Sequence, residues 1–315
     1  MAFTFIDLFA GIGGFHLAAS SLGGRCVFAS EIDQCARKVY EANFGFEPAG
    51  DITKIDADDI PDHEALFAGF PCQPFSIIGS QLGFDDIRGT LFFDIARILK
   101  SKKPKFFILE NVKRICGHNN GQTMRVILDT LQSIGYSNLY WRILNALDFG
   151  LPQKRERTII VGFLSRAARF EFPTGRKMAP LAKILEPEES VGKKYFASER
   201  IAAKRRATHK SSYKLSLWHE NKNGNIASYP YSCALRANAS YNYLLVNGQR
   251  RLTERELLRL QGFPDSFKFI NNYNQTRKQT GNAVPVNMIR SVLEVALKSW
   301  AKAEIIAAKA RDLVI

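Results

Sequence analysis

The chain has 315 residues and carries 44 Lys and Arg against 30 Asp and Glu, a formal net charge of +14 that suits a polyanionic partner such as nucleic acid. It contains no run of 18 apolar residues, and it opens on Phe3-Thr4-Phe5-Ile6-Asp7-Leu8-Phe9 rather than on a basic region with a cleavage site, so neither a membrane span nor a secretory leader is expected. Five cysteines (Cys26, Cys35, Cys72, Cys116 and Cys233) are an odd number without a C-x-x-C pair, which argues against a disulfide framework or a zinc site and for a reducing, cytoplasmic setting with no metal.

In chain order, Phe3 to Phe9 reads as a strand, followed by a helix from about Gly14, a strand over Cys26 to Ser30 and a helix through Tyr40. The joint between the first strand and helix, Asp7-Leu8-Phe9-Ala10-Gly11-Ile12-Gly13-Gly14, has glycines where a backbone must turn sharply and approach a ligand closely. His16 breaks the dinucleotide pattern G-x-G-x-x-G, and no Gly-Lys-Ser/Thr follows, so a nucleoside without a pyrophosphate is favoured. Glu31, at the end of the second strand, is placed to accept hydrogen bonds from ribose hydroxyls. Gly50-Asp51-Ile52 ends a third strand-like unit; Asp51 could accept from an adenine amino group and Ile52 could pack on its ring, or the triplet could be a turn with a helix cap.

After the strand Ala65 to Ala68 comes Gly69-Phe70-Pro71-Cys72-Gln73-Pro74-Phe75-Ser76. Two prolines fix φ and push the preceding residues away from helix, so a rigid loop displays Cys72 as a candidate nucleophile; the alternative is a small buried hydrophobe. Helices follow between Leu91 and Lys100 and over Gln122 to Ile134, and strands at Phe106 to Leu109, Leu139 to Leu144 and Thr158 to Phe163. This alternation predicts an α/β domain with a parallel sheet covered on both faces.

Beyond Phe172-Pro173 the periodic pattern ends. Between Gly175 and Leu215 eleven Lys or Arg face four Glu, half of the chain's net charge. Tyr229, Tyr231, Arg236, Tyr241 and Tyr243 then lie among Asn and Ser, a mixture suited to phosphate contact and base-edge reading or, alternatively, to a solvated basic face. From Leu252 helical pattern returns, with Thr253 as a cap for Glu254 to Leu260 and a long amphipathic helix from Val286 to about Asp312, both expected to pack on the first domain.

These blocks fall into a known order, and the chain resembles the bacterial, restriction-modification type of DNA (cytosine-5) methyltransferase over nearly its whole length. The blocks begin at Asp7, Glu31, Gly50 and Gly69, and continue with Arg88-Gly89-Thr90-Leu91-Phe92, Glu110-Asn111-Val112, Gln153-Lys154-Arg155-Glu156-Arg157, Arg251 to Glu256 and Gln279-Thr280-Gly281-Asn282-Ala283-Val284. The resemblance implies a Rossmann-like, S-adenosylmethionine-dependent fold. Its catalytic domain would occupy 1–172 and 253–315, with a target-recognition domain inserted at 173–252. It implies a cofactor site made by Asp7, Phe9, Gly11, Ile12, Gly13, Glu31, Ile32, Asp51, Ile52, Pro71 and Leu91, completed by Asn282 and Ala283 of the last block.

By the same resemblance Cys72 adds to carbon 6 of cytosine, Glu110 serves ring nitrogen 3, and Arg157 holds the cytosine oxygen with Arg155 beside it. A base inside a duplex must be extruded for this chemistry. The expected DNA contacts are Ser76, Ser80 and Gln81 of the glycine-containing stretch Ser76 to Asp86, Arg88, and Arg236, Tyr241 and Tyr243 of the recognition region, where Cys233-Ala234-Leu235-Arg236-Ala237 is similar to the base-reading segment of relatives. Double-stranded DNA is the expected partner of a nucleoid-associated monomer, alongside a separately acting restriction endonuclease. Two rivals stand beside this reading. A transfer RNA cytosine-5 methyltransferase is disfavoured because no cysteine is followed by Phe-Thr, and a catalytically silent DNA-binding regulator because Cys72, Glu110 and Arg157 are all present.

Overall fold

The computed structural model describes residues 2–71, 91–221, 223–237, 239 and 243–312. Its largest layer is a six-stranded sheet of β1 (Phe3–Leu8), β2 (Gly24–Ser30), β3 (Ala65–Gly69), β4 (Phe106–Val112), β5 (Asn138–Asn145) and β7 (Glu156–Phe163), in the order β2-β1-β3-β4-β7-β5. The short β6 (Gln153–Lys154) precedes β7. The first four strands of that order pair in parallel. β7 runs antiparallel to both β4 and β5, so the sheet is mixed rather than wholly parallel. The reversal follows from the link: only ten residues without an α-helix separate β5 from β7, too few for a parallel crossover.

Strand side chains alternate between faces, and the core divides accordingly. Phe5, Phe67, Phe106, Ile108, Ile159 and Val161 pack on one side with residues of α1 (Gly14–Ser20), α2 (Gln34–Phe44) and the 27-residue α8 (Val286–Asp312). Ile6, Leu66, Phe107, Leu109 and Ile160 pack on the other with α3 (Leu91–Lys102) and α4 (Gln122–Ser133). Along α8, Met288, Ile289, Val292, Leu293, Ala296, Trp300 and Ala303 are buried, the three-to-four spacing of one helix face.

Between Pro173 and Leu252 the structure contains α5 (Glu199–Thr208) and a four-stranded antiparallel sheet ordered β12-β11-β8-β9, built from β8 (Leu217–Glu220), β9 (Ile226–Tyr229), β11 (Leu245–Val246) and β12 (Arg250–Arg251). The two-residue β10 (Ser232–Cys233) instead pairs in parallel with β6. A third apolar cluster, including Leu181, Ile184, Leu217, Leu235, Tyr243 and Leu252, also takes Leu257 and Leu260 of α6 (Glu254–Leu260), while Leu258 of the same helix belongs to the core of the large sheet. α6 thus packs on both bodies, not on the first alone. α7 (Tyr273–Asn282) follows it. Among the described residues no helix is long and apolar enough to cross a membrane.

Candidate active site

In the sheet order, β2 and β3 flank β1 on opposite sides, so the chain leaves the carboxyl ends of β1 and β3 in diverging directions. A crevice opens at such a switch point. Here it is a cleft of ≈ 350 Å³ bounded by Phe9, Gly11, Glu31, Ile32, Pro71, Leu91, Glu110, Arg155, Arg157, Asn282 and Ala283 among others, within the size range of small-molecule sites.

The glycine-rich turn forms its near wall. Phe9, Gly11 and Gly13 have φ of 54°, 54° and 86°, the left-handed region that glycine enters without strain and phenylalanine does not. A Cβ at Gly11 would meet no atom within 4 Å, so the backbone there borders open space. The Glu31 carboxylate accepts from the Gly11 and Asp33 backbone N–H groups, both at 2.8 Å. Burial raises its pKa, against the pull of these two N–H groups. Ile32 beside it is 72% exposed, an apolar surface without a protein neighbour to cover it. Across the mouth, Lys278 Nζ reaches Asp33 Oδ2 at 2.6 Å and holds the Asp33 pKa low against the effect of partial burial. Gln279 also lines the cleft, and its Nε2 has no hydrogen-bond partner among the described residues.

Glu110 lies at the carboxyl end of β4, paired in register with Gly69 at the end of β3. A Cβ at Gly69 would stand 3.6 Å from Glu110 Oε2 and 3.4 Å from Val284 Cγ1, so the carboxylate sits directly beside the stem that leads through Phe70 and Pro71 to Cys72. Asn111 fixes this stem from below: its Nδ2 donates to the buried Phe70 carbonyl at 2.9 Å. Arg157 is at the start of β7, opposite Val112, and its Nε approaches Glu110 Oε1 to 2.7 Å. The contact is an ion pair whose N–H direction is not aligned for a hydrogen bond. Arg157 Nη1 donates to the Glu156 carbonyl at 2.8 Å.

Other expected site residues stand elsewhere. Asp7, Ile12 and Gly13 do not border the cleft. Asp7 is fully buried beneath the turn, and neither of its carboxylate oxygens has a hydrogen-bond partner among the described residues. Burial pushes its pKa well up, and the Glu31 charge adds to this. Asp51 caps a short turn, accepting from Thr53 N at 3.1 Å, and Ile52 is buried in the core; neither lines the cleft. The strand-like unit before them is reduced to one bridge between Ser30 and Ala49.

Arg155 bounds the cleft, yet its guanidinium donates to three backbone carbonyls, of Leu235, Gly281 and Ala283. It therefore does not share the position of Arg157 beside Glu110. Tyr243, expected at a DNA surface, is 4% exposed, and its hydroxyl accepts from Arg236 N at 3.0 Å. The Arg236 guanidinium lies over its ring at 5.1 Å. Cys72, Ser76, Ser80, Gln81, Arg88 and Tyr241 lie outside the described residues.

Sequence reasoning passed over Asn111, Gln153, Lys278 and Gln279 as individuals, although each belongs to or adjoins a recognised block. Nothing in a linear pattern says which polar residue of a block faces a ligand and which braces a backbone.

Comparisons with known proteins bear on the chain as a whole. The family described as C-5 cytosine-specific DNA methylase matches residues 3–298. The chain is 56% identical to the Type II methyltransferase M.NgoBI of Neisseria gonorrhoeae, over 92% of each chain. It is 55% identical to M.HaeII of Haemophilus aegyptius, over 91% of this chain and 90% of that protein. Among solved structures, the Dnmt2 methyltransferase of S. pombe superposes with a TM-score of 0.72, covering 94% of this chain and 98% of that one at 21% identity, a likeness of fold.

Proposed function

Because this chain belongs to the C-5 cytosine-specific DNA methylases, and transfers a methyl group from S-adenosylmethionine to carbon 5 of cytosine in DNA, we propose that it modifies one short double-stranded sequence with Cys72, Glu110 and Arg157 as its catalytic residues. The observation that carries the assignment is the Glu110–Arg157 ion pair at the floor of the cleft, beside the stem that leads to Cys72. Its biological setting is a restriction-modification system like those of its Type II relatives. A cognate endonuclease acts separately, and the enzyme works as a monomer on nucleoid DNA.

The cleft fits S-adenosylmethionine: the Glu31 carboxylate suits ribose hydroxyls, Phe9 and exposed Ile32 offer apolar faces to a purine, and Gln279 has an uncommitted donor. Pro71, Leu91, Asn282 and Ala283 close the remaining walls. When bound, this cofactor supplies an electrophilic methyl group. Asp7, Ile12, Gly13 and Ile52 support the turn and walls from beneath.

Carbon 5 of cytosine is a poor nucleophile until the ring's aromaticity is broken. The Cys72 thiolate forms a bond to carbon 6, a role that suits a group both nucleophilic and able to leave. Electron density moves toward carbon 5 and ring nitrogen 3, and Glu110 donates a proton to that nitrogen. Arg157 orients the Glu110 carboxyl and donates to the cytosine oxygen. Once carbon 5 has accepted the methyl group that the cofactor would supply, leaving that cofactor as a neutral thioether, carbon 5 gives its proton to water, the carbon 6 bond breaks to release the Cys72 thiolate, and nitrogen 3 returns its proton to Glu110. Because the thiol and the methyl donor must reach the ring from its faces, the base leaves the duplex first. Ser76, Ser80, Gln81, Arg88, Arg236 and Tyr241 contact the DNA.

The test is bisulfite sequencing of DNA from a host without cytosine-5 methylation that expresses the wild-type chain or Cys72→Ala. Protected cytosines at one recurring short site, with wild type alone, are expected. Protection spread over unrelated sequences, or persisting in Cys72→Ala, overturns the assignment; methylation confined to RNA moves it to the transfer RNA reading.

A further inference from the structure

Arg155 lies two residues before Arg157, is 1% exposed, and gives three hydrogen bonds to backbone through Nη1 and Nη2, while its Nε has no partner among the described residues. Nη1 donates to the Leu235 carbonyl at 2.8 Å, and Nη2 to the carbonyls of Gly281 at 2.9 Å and Ala283 at 2.8 Å. A cation that deep is tolerated because the carbonyl dipoles point at it, and charge-assisted hydrogen bonds of this kind are the strong ones. Its three acceptors come from two places that are distant in sequence: the segment carrying Arg236, and the end of α7 that lines the cofactor cleft.

Two further contacts fix the same junction. Gln153, fully buried, accepts from Leu235 N at 3.0 Å and donates to the Leu260 carbonyl at 2.8 Å, so Leu235 is held through both of its backbone groups by one five-residue stretch. Gly281 lies against the next peptide: a Cβ built on it would fall 2.6 Å from the Arg236 carbonyl carbon and 2.8 Å from Ala237 Cα. These neighbours are backbone, which does not swing aside. Any shift of Arg236 therefore displaces Leu235, and with it the carbonyl that Arg155 shares with Gly281 and Ala283.

We propose that Arg155 is a positioning residue that couples base reading at Cys233–Ala237 to the geometry of the cofactor cleft and of Arg157. The proposal rests on the reading of that segment as a DNA-contacting one. A correct site seats Arg236 without strain and leaves the three carbonyl contacts of Arg155 in place. A wrong base pair moves Leu235 and loosens Ala283 and the start of β7 together, so discrimination appears in turnover as well as in binding.

The experiment compares kcat and KM on the cognate duplex and on duplexes with one altered base pair, for wild type, Arg155→Lys, Gln153→Ala, Gly281→Ala and Arg236→Ala, each corrected for its active fraction. Arg155→Lys keeps the charge and loses the fork. It is expected to lower kcat/KM on cognate DNA at least 10-fold while lowering it far less on altered duplexes, contracting the discrimination ratio. It should also raise the KM for S-adenosylmethionine. Should it not fold, Gln153→Ala reads the same coupling without touching a charge. The double variant R155K/G281A is expected to contract discrimination no further than the worse single variant, since both break one junction.

A brace with no coupling role predicts lower melting temperatures and an equal proportional loss on every duplex, and that result overturns the proposal. Arg236→Ala separates the two readings. If it leaves discrimination intact, the reading of the segment fails; if it abolishes discrimination while Arg155→Lys and Gln153→Ala preserve it, the coupling fails.

Discussion

Glu110 and Arg157 are 47 positions apart in the chain and 2.7 Å apart in the fold, brought together because β4 and β7 are neighbours and both residues fall near the cleft end of their strands. In the proposed mechanism Glu110 is a proton donor, a role that contributes about 10²–10⁴-fold to rate. Glu110→Gln should therefore lower single-turnover methylation by about that factor while leaving S-adenosylmethionine binding, measured by equilibrium dialysis, close to wild type. Asp7 makes a prediction of opposite character. Its folded pKa is raised well above the ordinary 3.8, so the native state holds a proton that the unfolded state releases first, and stability falls as pH rises through that window. Asp7→Asn removes this penalty. Its melting temperature relative to wild type should climb as pH is taken from 4 to 8, and thermal denaturation across that range checks it. At this scale the sequence marked the blocks that line the cleft, Glu110 and Arg157 among them. The resemblance gave the base oxygen to Arg157 and set Arg155 beside it, but that Arg155 is spent on three backbone carbonyls is decided only by what the fold sets around it.

Among elements, α6 was the most legible, because its signal is local. Thr253 accepts from Glu256 N, and the Glu256 carboxylate returns to Thr253 N at 2.8 Å, a reciprocal cap written within four residues. Glu256 has two further duties that no local pattern shows: it pairs with Arg250 through two 2.8 Å hydrogen bonds, and it accepts from Glu186 N at 2.9 Å, all in the interior. The consequences differ in size. Thr253→Ala should cost about 1 kcal/mol, the usual loss of a cap, whereas Glu256→Ala strands a buried guanidinium and should cost about 3–5 kcal/mol; urea midpoints for the two variants decide. α7 and α5 went unread because neither carries an apolar stripe. Tyr-Asn-Gln-Thr-Arg-Lys-Gln-Thr-Gly-Asn is helical through Asn272 at its cap and through burial of Thr276, Gln279 and Thr280 against other elements. The direction of β7 was legible but overlooked, since the ten residues from β5 to β7 are too few for a parallel crossover.

Over the whole molecule, the surplus of 14 positive charges acts as a field more than as contacts. Eleven cations between Gly175 and Leu215 place half of it in the stretch that contains α5, where Arg200, Lys204 and Arg206 are exposed. Binding that releases counterions from phosphate weakens steeply with salt. DNA affinity measured by filter binding should drop by about 10³-fold or more between 50 and 200 mM salt. Reversing Arg200 and Lys204 to Glu should flatten that slope without changing which sequence is preferred.

What the sequence determined by itself is whatever depends on neighbours along the chain: alternating strands, the capped α6, the amphipathic α8, the glycine-rich turn, and an ordered set of blocks specific enough to name the chemistry. The tertiary structure alone decided which polar residue of each block faces the cleft and which is spent on backbone. Ile52 and Tyr243 went into the interior, and Arg155 to three carbonyls. The reason is physical. A residue type fixes how many donors and acceptors a side chain has, but a buried group must satisfy them with whatever the packing brings near, and that is settled between segments 80 to 130 residues apart.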